Sequence, residues 1–101
     1  MQANVIKEGG KAEIKLNGRF DFNTHRDFRA VYEPLVADSE VRIVTVDFSS
    51  VDYLDSSALG MLLMLRDKMG GASKDVSLTG VRGNVKQVLD IANFGKLFQI
   101  S

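Results

Sequence analysis

Cysteine is absent from the 101 residues. That excludes a disulfide framework, a thiolate nucleophile and any Cys-ligated metal. Histidine occurs once, as His25, so neither a His-based metal site nor a Ser-His dyad is expected. A surplus of charge is missing too: 13 Lys plus Arg balance 13 Asp plus Glu, and the two signs are balanced in each half. A protein that binds nucleic acid by neutralising phosphates needs a cationic excess, so direct nucleic-acid binding is not expected. No apolar run approaches the roughly 18 residues of a membrane span, and the N-terminus lacks a signal-peptide pattern. No membrane insertion and a cytoplasmic location follow as expectations. Phosphate loops of the Gly-x-x-x-x-Gly-Lys-Ser/Thr type and Gly-x-Ser-x-Gly elbows are also absent. No cofactor, no metal and no catalytic residue are expected.

What remains is ordinary globular material, 45% apolar and 26% charged. Residues 1–101 read as a single domain, without repeat, linker or low-complexity stretch. Asn4–Glu8 and the alternating Lys11–Asn17 read as strands of a hairpin around Gly9-Gly10. Thr24–Ala37 reads as a helix, with Thr24 and Asp27 resembling a capping box and Phe28, Val31 and Leu35 facing a core. Pro34 conflicts with that helix and predicts a kink or two short helices end to end. Val41–Phe48, apolar on both faces, predicts a central strand. Ser57–Met69 is a helix closed by Gly70-Gly71. Val76–Thr79 is a short strand, Asn84–Ala92 a helix with Asn84 as its cap, and Leu97–Ile100 a final strand. The order β-β-α-β-α-β-α-β predicts an α/β fold: a mixed sheet of about five strands, the central ones parallel, with helices packed on it.

The most informative segment is Tyr53-Leu54-Asp55-Ser56-Ser57-Ala58-Leu59-Gly60, at the junction of the central strand and the apolar helix. Functional groups cluster at such junctions in open α/β sheets. Ser56 is suited to be the helix N-cap, which by itself is plain structural chemistry. The helix start also offers free N–H groups and a positive dipole end, which can receive a phosphate. At 100° per residue, Ala58, Leu59, Met61, Leu62, Leu65 and Met69 share one side of the helix. Ser57, Gly60, Met64, Asp67 and Lys68 share the other, Leu63 sits at the boundary, and Arg66 falls near the apolar arc and must snorkel. A Met beside a Gly on an outer face suits an adaptable contact surface, or is merely a tolerated surface residue. His25 is expected to be solvent-exposed. Phe20, Phe22 and Phe28 are expected in the core.

The eight-residue segment resembles the signature of the STAS domain of bacterial anti-sigma factor antagonists. Gly18-Arg19-Phe20-Asp21 resembles a second family motif, and the similarity runs from about Val5 to Ile100. The resemblance implies that Ser56 is the phosphorylated serine. Asp21 and Asp55 would border it, and Ser57 would match the second hydroxyl. It implies docking through Asp21, Asp55, Ser56, Ser57, Gly60 and Met64 onto an anti-sigma factor or serine kinase of the histidine-kinase-like ATPase fold. Binding would require unphosphorylated Ser56, and a PP2C-type phosphatase would reset the switch. A monomer is expected for the free protein. Ala58 stands where relatives more commonly have Gly. The family's C-terminal helix would be missing or very short, with part of the sheet less covered or covered by another chain.

Two other readings compete with this one. A non-switching STAS adaptor, in a signalling or lipid-transport complex, would keep the fold without using the serine. An enzyme with Ser56 as nucleophile is disfavoured, because the only histidine lies at the start of a different helix and no Lys is near in sequence.

Overall fold

Alternation of apolar and polar side chains decides the architecture. The computed structural model describes Met1–Ser101. Strands β1 (Gln2–Glu8) and β2 (Lys11–Phe20) form an antiparallel hairpin. A 3-10 turn (Phe22–Thr24) leads into α1 (His25–Ala37), and β3 (Ile43–Leu54) is followed by α2 (Ser56–Gly71). Then come β4 (Asp75–Thr79), α3 (Gly83–Ile91), a 3-10 turn (Phe94–Lys96) and the two-residue β5 (Gln99–Ile100). The sheet order is β1-β2-β3-β4-β5, with the β2/β3, β3/β4 and β4/β5 pairs parallel. This is the expected mixed α/β sheet with β3 at its centre.

The core lies on one face only. Ala12, Ile14 and Leu16 of β2, Val44, Val46 and Phe48 of β3, and Leu78 of β4 are buried. They join Phe28 and Leu35 of α1, Leu62 and Leu65 of α2, and Val85 and Leu89 of α3 in one cluster. The alternating positions form a row across the other face, polar except at the edge strand: Ile6, Glu13, Thr45, Ser77 and Gln99 are successive cross-strand neighbours. The expectation of apolar burial on both faces of β3 is therefore not met. Ile43 is part-exposed, and Thr45 pairs its hydroxyl with Ser77 at 3.2 Å.

Several local expectations need correction. β3 continues six residues past Phe48 to Leu54, because Ser50–Leu54 pair with Asn17–Phe20 across two register irregularities. Ser50 is thus inside the ladder, opposite Asn17. α1 stays one helix through Pro34. Pro34 and Ala30 are both on the solvent side, so water can satisfy the carbonyl that proline leaves unpaired. Tyr32, rather than Val31, supplies the fully buried middle position of α1. The capping box joins Thr24 to Asp21, not to Asp27: Asp21 N–H donates to Thr24 Oγ1 at 3.1 Å and Asn23 N–H donates to Asp21 Oδ1 at 3.0 Å. Arg82, not Asn84, holds the N-cap position of α3, and the final strand shrinks to Gln99–Ile100. Phe20 and Phe28 pack in the core, their rings tilted and their centroids 4.8 Å apart, but Phe22 is 73% exposed.

Two tight spots hold the loops. Gly80 has φ +67°, and a Cβ there would lie 2.6 Å from Asp47 Oδ1 and 2.7 Å from the Ser49 nitrogen, so only glycine fits. The buried Lys74 ammonium donates to the carbonyls of Asp38 at 2.7 Å and Val41 at 2.6 Å, clamping the α1–β3 loop to the α2–β4 loop. Lys74→Met should strand both carbonyls and cost about 1–3 kcal/mol. Thermal denaturation should register this as a fall of roughly 4–8 °C per kcal/mol. On the same loop, the hydrogen bond from Lys7 holds the Asp38 carboxyl below the usual carboxylate range. Its stabilisation is present above the unfolded-state pKa and is lost as pH falls through the lowered folded value. Asp38→Asn should therefore flatten the acid limb of the stability curve below about pH 4.

Candidate functional site

β2 and β3 end side by side, with Phe20 opposite Leu54, so the residues just after them meet at one rim of the sheet. Asp55, not Ser56, is the N-cap of α2. Its backbone is extended (φ −105°, ψ 179°), and its Oδ1 accepts from Ala58 N–H at 3.0 Å. Its Oδ2 accepts from Phe22 N–H at 3.4 Å, and its own N–H donates to Phe20 O at 3.3 Å. The expected capping by Ser56 is overturned because the acidic residue before it already fills that place. Ser56 becomes the first residue of the helix, exposed, with its hydroxyl not required for the cap.

The same bonds bring Asp21 to the corner. Asp21 Oδ1 caps the 3-10 turn, and its Oδ2 faces Arg19 Nε at 3.5 Å. The Arg19 guanidinium lies 4.1 Å from the centre of the Tyr53 ring. Arg19 and Tyr53 are register partners, and neither belongs to the expected site. The signal for them was the two-residue period, which puts Arg19 beside Asp21 and Tyr53 beside Asp55 on the face opposite Phe20 and Leu54. Phe22 was missed as well, because a third phenylalanine near two core ones reads as core. The strand ends at Phe20, so Phe22 escapes the alternation.

Along α2 the inward side is Ala58, Met61, Leu62, Leu65 and Met69, as the wheel predicts, while Leu59 is only half-buried. Outward lie Ser56, Gly60, Leu63, Met64 and Asp67. Leu63 is 38% and Met64 45% exposed, and nothing lies within 4 Å of a Cβ built at Gly60. At 1.5 Å per residue, Met64 is about 12 Å along the axis from Ser56. Ser57 is half-buried and takes little part in the outer strip. Arg66 does not simply snorkel. Its Nε donates to Leu97 O at 2.9 Å, joining α2 to the approach to β5.

Asp21, Asp55 and Ser56 thus form one corner, with Gly60 and Met64 continuing from it. None of the four main grooves is lined by Asp21, Asp55 or Ser56. The largest groove, about 710 Å³, is lined by Ile43, Lys74 and Asp75, at the other end of the parallel strands. Because Asp55 carries the cap, Asp55→Ala should cost about 1 kcal/mol in urea denaturation. Ser56→Ala should leave the midpoint nearly unchanged.

The comparisons with known proteins cover nearly the whole chain. The family model described as "Mlab, STAS domain" matches residues 4–99. A STAS-domain containing protein of Pseudomonas aeruginosa is 49% identical over 94 residues, which are 93% of this chain and 91% of that protein. An anti-sigma-B factor antagonist of Staphylococcus aureus is 24% identical over 89 residues, 88% of this chain and 82% of that one. The solved structure of the Bacillus cell fate determinant SpoIIAA in its phosphorylated form superposes with a TM-score of 0.75 at 16% identity, covering 99% of this chain and 91% of that one. Its unphosphorylated form gives 0.76. With the family match reaching from Asn4 to Gln99, the chain belongs to the STAS-domain family and has the fold of the anti-sigma factor antagonists.

Proposed function

We propose that this protein is an anti-sigma factor antagonist whose partner binding is switched by phosphorylation of Ser56. The observation that carries the reading is the division of labour at the start of α2. Asp55 makes the cap, and Ser56 is presented to solvent at the first helical position. A serine whose hydroxyl the cap does not use can be modified without disturbing the cap.

Unphosphorylated, the rim offers a partner the Asp21–Asp55–Ser56 corner and the strip of Gly60, Leu63 and Met64. The partner is an anti-sigma factor or serine kinase of the histidine-kinase-like ATPase fold. It transfers the terminal phosphoryl group of a nucleoside triphosphate to Ser56 Oγ, the hydroxyl proton leaving as the phosphate ester forms. The ester adds about −1.5 to −2 charges. The helix dipole tolerates that charge at an N-terminus, but a partner surface matched to the neutral rim meets repulsion on top of Asp21 and Asp55. A PP2C-type phosphatase restores the hydroxyl. The protein acts as substrate and ligand, not as a catalyst, works in the cytoplasm and is monomeric when free.

The test is an affinity pull-down with wild type, Ser56→Ala and Ser56→Asp as baits. An ATPase-fold kinase should be retained by the first two and lost, or weakened at least about tenfold, with Ser56→Asp. Equal retention by all three would end the switching reading in favour of a non-switching adaptor. Phosphopeptide mass spectrometry on the native protein should find Ser56 modified. Gly60 provides a second check. Gly60→Ala meets open space and should raise stability by up to about 1 kcal/mol. Gly60→Leu should fold equally well yet weaken the captured complex, because it thickens the docking strip.

A further inference from the structure

We propose that Arg19 is the internal counter-ion of the Ser56 phosphate, exchanging Asp21 for the phosphate when the serine is modified. The proposal rests on the reading of Ser56 as a phosphorylation site and adds a rearrangement of the rim that follows modification.

Three observations lead to it. Arg19 holds Asp21 through Nε alone, at the long distance of 3.5 Å, and both of its Nη groups remain available. An ion pair this long, with its arginine exposed, contributes little. A phosphate dianion carries more charge than a carboxylate and matches the two-pronged guanidinium better, so it is the stronger partner. Second, the guanidinium is pre-placed. It lies 4.1 Å from the Tyr53 ring centre on the residue pair that immediately precedes Phe20 and Leu54, and its contact with Asp21 directs it toward the end of the strands. Asp55, next to Ser56, is bonded to the residue after Asp21. Third, Asp21 can give up the contact without loss of its structural role. Its Oδ1 keeps Asn23 N–H and its backbone keeps Thr24 Oγ1, so the 3-10 turn stays capped.

The exchange answers an electrostatic problem. A phosphate at Ser56 would adjoin Asp55, whose carboxylate is bonded to the residue after Asp21, and the charged groups on the neighbouring elements are Arg19 on β2 and Arg26 and Asp27 on the first turn of α1. Only Arg19 is already paired with one of those two carboxylates. Its movement would uncover Asp21 Oδ2 and bare the Tyr53 ring. The partner would then meet a changed surface as well as an added charge.

The test needs no partner. Phosphoserine is installed at position 56 by genetic encoding, and its second ionisation is followed by phosphorus NMR in wild type, Arg19→Gln, Arg19→Lys and Arg26→Gln backgrounds. An ordinary phosphoserine titrates near pH 6. In wild type the transition should lie below that value. Arg19→Gln should raise it by about half a unit to one unit, because loss of the cation disfavours the dianion. Arg19→Lys should fall between the two, and Arg26→Gln should match wild type. The Arg19 Nε–H signal should shift on phosphorylation of the wild type. Superimposable titrations for wild type and Arg19→Gln, or an equal shift from Arg26→Gln, would overturn the proposal. Arg19 is exposed, so thermal denaturation should show the variants folded. A depressed titration in a protein never found phosphorylated in its cells would instead count against the switching role of Ser56 and leave the ion-pair exchange standing.

Discussion

Everything at the functional rim hangs on one carboxylate. Asp55 accepts from the first turn of α2 with one oxygen and from the 3-10 turn after β2 with the other, while its own N–H donates to Phe20 O. Two chain segments separated by more than thirty residues are thereby held at one corner. A neutral cap would satisfy the helix but would lack the charge that makes two backbone donors converge on one side chain. Because that residue precedes the serine, the serine is spared structural duty and faces water. The cap and the exposed hydroxyl at this helix start are thus carried by different residues.

The one-sided core is the second constraint. All three helices bury their apolar faces in a single cluster against the same side of the sheet, and the other side is a polar lattice of Glu13, Thr45 and Ser77 with their neighbours. The helix that begins at Ser56 is therefore gripped along its inner face by Leu62, Leu65 and Met69, all fully buried. Its outer face stays free to carry Gly60, Leu63 and Met64. Rigid support on one side and an adaptable thioether on the other are suitable properties for a docking helix. The Lys74 clamp and the Gly80 close approach fix the loops at opposite ends of β4, so the rim does not depend on loop motion for its shape.

Charge at the rim is a local matter. The 13 basic and 13 acidic groups cancel over the chain, so the placement of individual charges, not the net charge, sets the field there. The rim places two carboxylates beside one lightly held arginine.

Much of this was legible in the residues. The alternation of Lys11–Asn17, the apolar side of α2 and the punctuation by glycine pairs each bury apolar surface in only one periodic way, so element types and order follow directly. The Asp-Ser-Ser corner was legible as a helix start. Other details were not. Whether Asp55 or Ser56 takes the cap depends on backbone angles set by the neighbouring strand. The six extra residues of β3 exist because β2 is there to pair with them. Phe22 is exposed because β2 stops at Phe20, and Arg19 meets Tyr53 only through a cross-strand register with two irregularities. Local periodicity and turn chemistry are properties of a few adjacent residues, and the sequence by itself determined them. Which side chains from distant segments meet at the rim depends on long-range pairing, and only the tertiary structure decided that.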